Sequence, residues 1–137
     1  MNKSNPEMKP RILIVEDELE SQKYFELVLK KKFDVDFCDT KKTMYSFLSK
    51  QDYDVIVMDI SLKDGVNGVD LIKELKRNTS EINMPIICLS AHAFSEDRSK
   101  AEEAGANIYL TKPVKSQILI TAINELIAIS LEEKKSA

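Results

Sequence analysis

The sequence predicts an α/β domain in which five parallel strands form one doubly wound sheet with helices on both faces. Five short apolar runs alternate along the chain with five longer segments rich in helix-forming residues, and the loops between them are short. Such regular alternation favours parallel strands joined by right-handed crossovers. The run Val55–Met58 supports the same fold, because four consecutive apolar residues, three of them β-branched, are typical of a strand buried on both faces.

The five predicted strands are short and are bounded by charged or turn-forming residues. They cover Arg11–Val15, Phe33–Cys38, Asp54–Asp59, Ile86–Ser90 and Asn107–Leu110. The second of them alternates apolar and polar residues with a period of two, which indicates one solvated face and a position near an edge of the sheet.

The five predicted helices follow the strands in turn. They cover Leu19–Lys32, Thr40–Lys50, Asn67–Arg77, Ser95–Gly105 and Ser116–Glu132. Thr40 and Asn67 are suited to cap the second and third helices, and Gly105 is suited to end the fourth in a left-handed conformation. We therefore expect a single domain over residues 11–132, with a disordered lead-in at 1–10 and a short tail at 133–137.

The composition is that of an ordinary domain with nearly balanced charge. The 137 residues carry 20 basic and 23 acidic side chains, and a net charge of −3 argues against nucleic acid or an anionic membrane as the main partner. Cys38 and Cys88 both lie in strand-like runs, which indicates buried, reduced thiols. The apolar-rich stretch 118–131 is too short to span a bilayer and no signal peptide is recognisable, so we expect a cytoplasmic protein.

Side chains suited to one chemical site lie at the ends of four of the five predicted strands, whereas the second ends less usefully near Asp39 and Thr40. Glu16 and Asp17 follow the first strand, Asp59 ends the third, Ser90 ends the fourth, and Lys112 follows the fifth. Ligands of open parallel sheets bind just outside the carboxyl ends of the strands. In a doubly wound sheet whose central strands are the first, third and fourth, we expect these side chains to converge on one pocket.

These residue types point to phosphoryl transfer. Carboxylates that lie close together repel one another and stay ionised only beside a cation, and hard oxygen ligands suit Mg²⁺, with Mn²⁺ as an alternative. An ionised Asp59 is a competent nucleophile towards phosphorus. Lys112 could neutralise a phosphoryl group, and the hydroxyl of Ser90 could donate a hydrogen bond to it. The pattern predicts an acceptor site for a phosphoryl group.

Taken together, the motifs resemble the receiver domain of two-component response regulators over about residues 11–131. The resemblance is carried by Ile-Leu-Ile-Val-Glu-Asp-Glu at 12–18, Val-Ile-Val-Met-Asp at 55–59, Leu-Ser-Ala-His-Ala at 89–93 and Tyr-Leu-Thr-Lys-Pro at 109–113. It implies a flavodoxin-like sheet of strand order 2-1-3-4-5. It also implies a phosphoacceptor switch of the stand-alone type, with no enzymatic activity beyond its own phosphorylation and dephosphorylation.

Position by position, the resemblance makes Asp59 the phosphoacceptor. Glu16, Asp17 and Asp59 would hold Mg²⁺ together with the backbone carbonyl of Ser61. The phosphoryl donor would be a histidine kinase or a histidine phosphotransfer protein.

The resemblance also assigns the readout of phosphorylation. Ser90 and Lys112 would move towards the phosphoryl group, and Tyr109 would turn inward after them, which changes the face formed by the fourth helix, the fifth strand and the fifth helix. The bond between Lys112 and Pro113 would be cis. A two-state equilibrium of this kind is biased by phosphorylation.

The loop after Asp59 departs from the common pattern of the family. Lys63 stands where proline is usual, and Gly68 comes one residue later than the usual glycine. Ser61 and His92 lie two residues beyond Asp59 and Ser90, where side chains of the family flank the phosphoryl group and tune its hydrolysis.

No helix-turn-helix or basic stripe follows the fifth predicted helix, so we expect output through a protein contact. The apolar arc of this helix is wider than the roughly 100° that a core face needs. Its members are a core stripe of Leu119, Ile123, Leu126 and Ile127, flanked by Ile118, Ala122 and Ile129 on one side and by Ile120 and Leu131 on the other. Either a neighbouring helix covers the excess, or the strip binds a downstream protein or a second copy of the chain.

Three other functions fit the sequence less well. A degenerate receiver could act as a binding module that needs no phosphorylation, although every expected acid and the lysine are present. A haloacid-dehalogenase-type phosphatase would require a second aspartate two residues after Asp59, where this chain has Ser61. A flavin-binding flavodoxin would require a loop rich in glycine, serine and threonine after the first strand, and this chain has none there.

Overall fold

The computed structural model describes residues 8–60, 67–78, 84–91 and 95–136, and ten regular elements lie within them. The strands are β1 (Arg11–Val15), β2 (Asp34–Cys38), β3 (Val55–Asp59), β4 (Ile86–Ser90) and β5 (Ile108–Thr111). The helices are α1 (Leu19–Leu29), α2 (Lys41–Lys50), α3 (Gly68–Asn78), α4 (Ser95–Ala104) and α5 (Ser116–Ser136).

The strands form one parallel sheet in the order β2-β1-β3-β4-β5, which confirms the predicted doubly wound fold and its strand order. Strand β3 is central, since Val57 pairs with Ile14 of β1 on one side and with Ile87 of β4 on the other. The carboxyl ends of β1, β3 and β4 therefore lie side by side at one edge of the sheet.

The core consists of two apolar layers, one on each face of the sheet. Val55 and Val57 of β3 belong to the layer covered by α1 and α5, whereas Ile56 and Met58 belong to the layer covered by α2, α3 and α4. All four side chains are at most 1% exposed, so the prediction of a strand buried on both faces is confirmed. The residue that ends this strand, Asp59, is itself only 4% exposed.

Helix α1 ends at Leu29, three residues earlier than the sequence predicts. The N–H groups of Lys32 and Phe33 both donate to the carbonyl of Leu29 at 3.0 Å, which closes the last turn. This turn buries Phe33 in the layer under α1 and α5 and leaves the three lysines before it exposed. The burial of one aromatic side chain thus decides where the helix ends.

Helix α5 is four residues longer than the sequence predicts and ends at Ser136. Its excess apolar arc is covered in part, because Ile120 and Ala122 are buried in the layer that also contains Phe25 of α1. Three large apolar side chains of the helix remain about half exposed: Ile118 at 50%, Ile129 at 54% and Leu131 at 54%. Of the two interpretations of the wide arc, cover by a neighbouring helix applies to one part and exposure to the other.

The predicted helix ends at Thr40, Asn67 and Gly105 are all found. The hydroxyl of Thr40 accepts from the N–H of Thr43 at 3.1 Å in a capping box, and the side-chain oxygen of Asn67 accepts from the N–H of Val69 at 2.8 Å. Gly105 has a φ of +123°, which a residue with a Cβ rarely adopts. Within the described residues, no helix is both long enough and apolar enough to cross a membrane.

Candidate functional site

Five polar side chains gather at the carboxyl edge of the sheet. Glu16 and Asp17 follow β1, Asp59 ends β3, Ser90 ends β4, and Lys112 follows β5. Glu16 and Ser90 are fully buried and Asp59 is 4% exposed, although all three are polar. Since burying a carboxylate is costly without a partner, these two acidic side chains require a compensating positive charge.

The ammonium group of Lys112 joins the two buried carboxylates. Its Nζ lies 2.6 Å from Oδ2 of Asp59 and 3.0 Å from Oε1 of Glu16, and its side chain is 22% exposed. Asp59 and Glu16 are 53 and 96 positions away from Lys112 along the chain, so the sheet brings the three residues together. The lysine therefore supplies positive charge at the point where Asp59 presents its oxygen.

The backbone around Lys112 holds the lysine in this position. Its N–H donates to the carbonyl of Ser90 at 2.7 Å, which extends the pairing of β4 and β5 by one residue. The Lys112–Pro113 peptide bond is cis, and Val114 is buried in the layer under α1 and α5. The lysine is thus tied to the strand that ends at Ser90.

Glu16 is held from several sides. Its N–H donates to the carbonyl of Cys38 at 2.9 Å, and its Oε2 accepts from the N–H of Glu18 at 3.2 Å. Its carbonyl accepts from Nε2 of Gln22 at 2.6 Å. Gln22 was not among the residues that the sequence singled out, because a glutamine in the first turns of a helix carries no signal of its own.

The charged groups of the site shift one another's pKa values. Burial and the negative charge of Asp59 raise the pKa of Glu16, and the ion pair with Lys112 offsets only part of that rise. Burial alone would lower the pKa of Lys112, but its hydrogen bonds with Asp59 and then Glu16 outweigh burial and raise that pKa. One ammonium group facing several carboxylates leaves the pocket negative, which favours a bound cation.

The carboxylates are arranged as metal ligands would be. Glu16, Asp17 and Asp59 each offer an oxygen, and these oxygens all lie within 4.8 Å of one another. A set made only of oxygens, two of them from buried residues, suits a hard cation such as Mg²⁺. The residues present therefore fit the magnesium site that the sequence predicts.

Comparison with known proteins gives the family. The protein-family model of the response regulator receiver domain matches residues 12–124, which is most of the chain. The chain belongs to the response regulator receiver domains.

Several relatives support this assignment. The receiver is 36% identical over 118 residues to the probable transcriptional regulatory protein SilR of Salmonella typhimurium, covering 85% of this chain and 50% of that protein. It is 32% identical over 143 aligned positions to hybrid signal transduction histidine kinase I of Dictyostelium discoideum, covering 98% of this chain and 8% of that protein. The chain thus spans about half, or much less, of the length of these two relatives.

Solved structures agree with the assignment. The receiver domain of the Francisella response regulator 1452 matches with a TM-score of 0.81 at 27% identity, covering 89% of this chain and 99% of that one. The signal receiver domain of a putative Luxo repressor protein from Vibrio parahaemolyticus matches with a TM-score of 0.84 at 22% identity, covering 94% of this chain and 98% of that one, and shows the fold alone.

The predicted switch residues of the receiver lie on β4 and β5. Ser90 ends β4, and Tyr109 of β5 is 6% exposed in the layer under α2, α3 and α4. The guanidinium of Arg98 on α4 lies 5.9 Å from the centre of the Tyr109 ring, a cation–π distance. In this structure the ring is therefore inward and covered by α4.

Three predicted residues of the receiver, Ser61, Lys63 and His92, lie outside the described residues. The two ends of the loop after β3 are described, however. The N–H of Ile60 donates to the carbonyl of Leu89 at 3.0 Å, and the N–H of Gly68 donates to the carbonyl of Ile60 at 3.3 Å. A Cβ on Gly68 would overlap the Cα of Ile60, so a larger residue at this position would require the backbone to shift.

Proposed function

We propose that this receiver accepts a phosphoryl group on Asp59 from a phosphohistidine donor, with Mg²⁺ as cofactor, and signals the event through a protein contact. The observation that carries the proposal is the position of Lys112, whose ammonium lies 2.6 Å from the carboxylate oxygen of Asp59. A buried aspartate beside one ammonium and two further carboxylates combines a nucleophile, a charge partner and a cation site.

The chemical step follows from these groups. An oxygen of Asp59 attacks phosphorus, so that an O–P bond forms while the P–N bond to the donor imidazole breaks. The imidazole takes up a proton and leaves as the neutral ring. Glu16, Asp17 and Asp59 would hold Mg²⁺, together with the carbonyl of Ser61, and the bound ion supplies neutralising charge for the phosphoryl oxygens. Lys112 and the hydroxyl of Ser90 would bind the remaining oxygens.

The donor would be a histidine kinase or a histidine phosphotransfer protein. Beside Lys112 lies an open groove of about 520 Å³ between α1 and the segment that follows β5. Tyr24, Phe25 and Val114 contribute to its lining, and the hydroxyl of Tyr24 donates to the carbonyl of Val114 at 3.3 Å. The groove gives a protein donor an apolar surface next to the acceptor.

The output surface would be the face formed by α4, β5 and α5. Phosphorylated Asp59 would draw Ser90 and Lys112 towards it, and Tyr109 would be stabilised in its inward position under Arg98. Ile118 and Ile129 on α5 are exposed enough to contact a downstream protein or a second copy of the chain. Ser61 and His92 would set the lifetime of the phosphoryl group.

Intact-mass measurement after incubation with acetyl phosphate and Mg²⁺ tests the proposal. We expect the mass of one phosphoryl group on the wild type and on Asp52→Asn, a control at an exposed aspartate, but none on Asp59→Asn. A chain that gains no phosphoryl group from any donor and does not bind Mg²⁺ contradicts the proposal. It would instead be a binding module that needs no phosphorylation.

A further inference from the structure

Gln22, on the first turns of α1, contacts the acidic loop 16–18 at two points. Its main-chain N–H donates to the carbonyl of Glu18 at 3.0 Å, and its side-chain Nε2 donates to the carbonyl of Glu16 at 2.6 Å. Asp17 is the residue between these two carbonyls. One helical residue thus holds the backbone on both sides of a predicted metal ligand.

The two contacts do different things. The bond to Glu18 is the ordinary helical bond that opens α1, and any residue except proline would make it. The bond to Glu16 needs a side-chain donor that reaches back over one turn of the chain. Without it, Glu16 would still be held by its N–H, which donates to the carbonyl of Cys38 at 2.9 Å, and by its side chain, but its own carbonyl would lose this hydrogen bond.

The position of this loop decides how the ligands meet. The three ligand oxygens come from two segments, Glu16 and Asp17 from the loop and Asp59 from β3, and they lie within 4.8 Å of one another. Mg²⁺ requires short bonds in near-octahedral geometry and tolerates little displacement of its ligands. Groups that do not touch a metal but hold its ligands in place commonly change its affinity severalfold or more.

We propose that Gln22 is a positioning residue for the Mg²⁺ site, acting through the carbonyl of Glu16 to hold Asp17 opposite Asp59. The inference rests on the proposed function, since it concerns the same site. It assigns to Gln22 no contact with the ion or with the phosphoryl group.

The test replaces the donor and keeps the volume. Gln22→Met has a side chain of similar length with no N–H, and it retains the main-chain bond to Glu18. We expect its dissociation constant for Mg²⁺ to rise about tenfold, because the metal-free loop would no longer be held in the arrangement that binds the ion. Isothermal titration calorimetry without a phosphodonor measures this directly, which matters because the chain has no tryptophan to report binding.

Gln51→Met is the matched control. Gln51 is also half-buried, and its Nε2 donates to Oδ2 of Asp36 at 2.8 Å, near the start of β3 and away from the carboxyl edge. A comparable loss of stability in urea is expected for both variants, whereas only Gln22→Met should weaken Mg²⁺ binding. Gln22→Asn, whose amide is one methylene too short to reach the carbonyl, is a milder variant with the same expected direction.

A kinetic split separates positioning from catalysis. With acetyl phosphate, Gln22→Met should require more Mg²⁺ for half-maximal phosphorylation but reach the wild-type extent once Mg²⁺ is saturating. An unchanged Mg²⁺ dissociation constant in both Gln22 variants, while Asp17→Asn abolishes binding, overturns the positioning role and leaves the proposed function standing. An equal loss of affinity in Gln51→Met also overturns it, and a wild-type chain that binds no Mg²⁺ overturns both.

Discussion

Glu16 is a fully buried carboxylate whose ionised form is unfavourable in the metal-free chain. Burial and Asp59 raise its pKa, and Lys112 at 3.0 Å compensates only in part. A carboxyl whose folded pKa lies above its ordinary value of 4.5 reduces stability at neutral pH, and the loss is recovered as the pH falls through the folded pKa. At the scale of the residue, the ionised carboxyl of Glu16 lowers stability and adds negative charge to a site that attracts a cation.

Replacing this carboxylate should stabilise the metal-free protein. We expect Glu16→Gln to raise the free energy of unfolding at pH 7, because it removes a buried charge that Asp59 repels. The advantage over the wild type should shrink as the pH falls from 7 to 4.5, the ordinary pKa of a glutamate, because the wild-type carboxyl takes up its proton above that value. Urea unfolding in the presence of EDTA at both pH values measures the difference.

Glu26→Gln is the control for that measurement, since Glu26 is exposed in the middle of α1. Its stability should match that of the wild type at both pH values. A Glu16→Gln variant that is less stable than the wild type at pH 7 would contradict the prediction. The same variant should bind Mg²⁺ more weakly, so the gain in stability and the loss of the ligand arise from one carboxylate.

At the scale of the element, Gly68 connects the loop after β3 to α3. The chain passes so close to Ile60 that a side chain at this position would meet backbone rather than a movable group. We expect Gly68→Ala to lower the free energy of unfolding by about 2–3 kcal/mol, as urea denaturation would show. Lys73→Ala, at an exposed position of the same helix, should change it by less than about 0.5 kcal/mol, and an equally small effect of Gly68→Ala would contradict the prediction.

Helix α5 has exposed apolar side chains in addition to the buried ones on its inner face. We expect Ile118→Glu combined with Ile129→Glu to abolish association with a partner or a second copy without unfolding the domain, because both side chains are half exposed and Ile120 and Ala122 provide the packing. Sedimentation of the phosphorylated chain and pull-down of its partner measure this. The matched control is Leu19→Glu with Leu27→Glu on α1, which are 64% and 66% exposed.

The result that contradicts this prediction is unchanged sedimentation and unchanged pull-down in the α5 double variant. In that case the exposed strip would be a consequence of a long helix and nothing more. Equal loss in the α1 control would show that the effect of the charges is general.

At the scale of the whole molecule, one sheet edge connects the predicted acceptor, Asp59, to the proposed output face. Lys112 touches Asp59 through its side chain and Ser90 through its N–H, and Tyr109 of the same strand lies under Arg98 of α4. We therefore expect a charge added at Asp59 to affect β4 and β5 more than β2, which lies at the opposite edge of the sheet.

Hydrogen–deuterium exchange can follow this connection. We expect phosphorylation by acetyl phosphate to slow amide exchange in β4, β5 and α4, where new hydrogen bonds from Ser90 and Lys112 stabilise the inward position of Tyr109. Exchange around Tyr53, whose hydroxyl donates to Asp36 at 2.7 Å, should not change. The slowing of exchange should be absent in Asp59→Asn. Equal slowing in all five strands would contradict a connection that runs from Asp59 to β4, β5 and α4.

The sequence alone determined the order of elements, the sheet and the residues at its carboxyl edge. These could be predicted because strand ends are local features: an apolar run stops where a polar residue begins, as at Asp59 and Ser90. The strand order came from resemblance to a family, because periodicity does not state which strands are neighbours. The cis bond at Pro113 likewise came from the resemblance.

Only the tertiary structure decided the contacts between distant segments. Gln22 reaches the carbonyl of Glu16, Arg98 covers Tyr109, and Ile120 is buried in the layer shared with α1, and no local pattern predicts any of the three. Gly68 belongs with them, because its need for glycine comes from a close approach to Ile60 across a loop. Residue type and spacing describe one element at a time, whereas burial and hydrogen bonding depend on which elements the fold brings together.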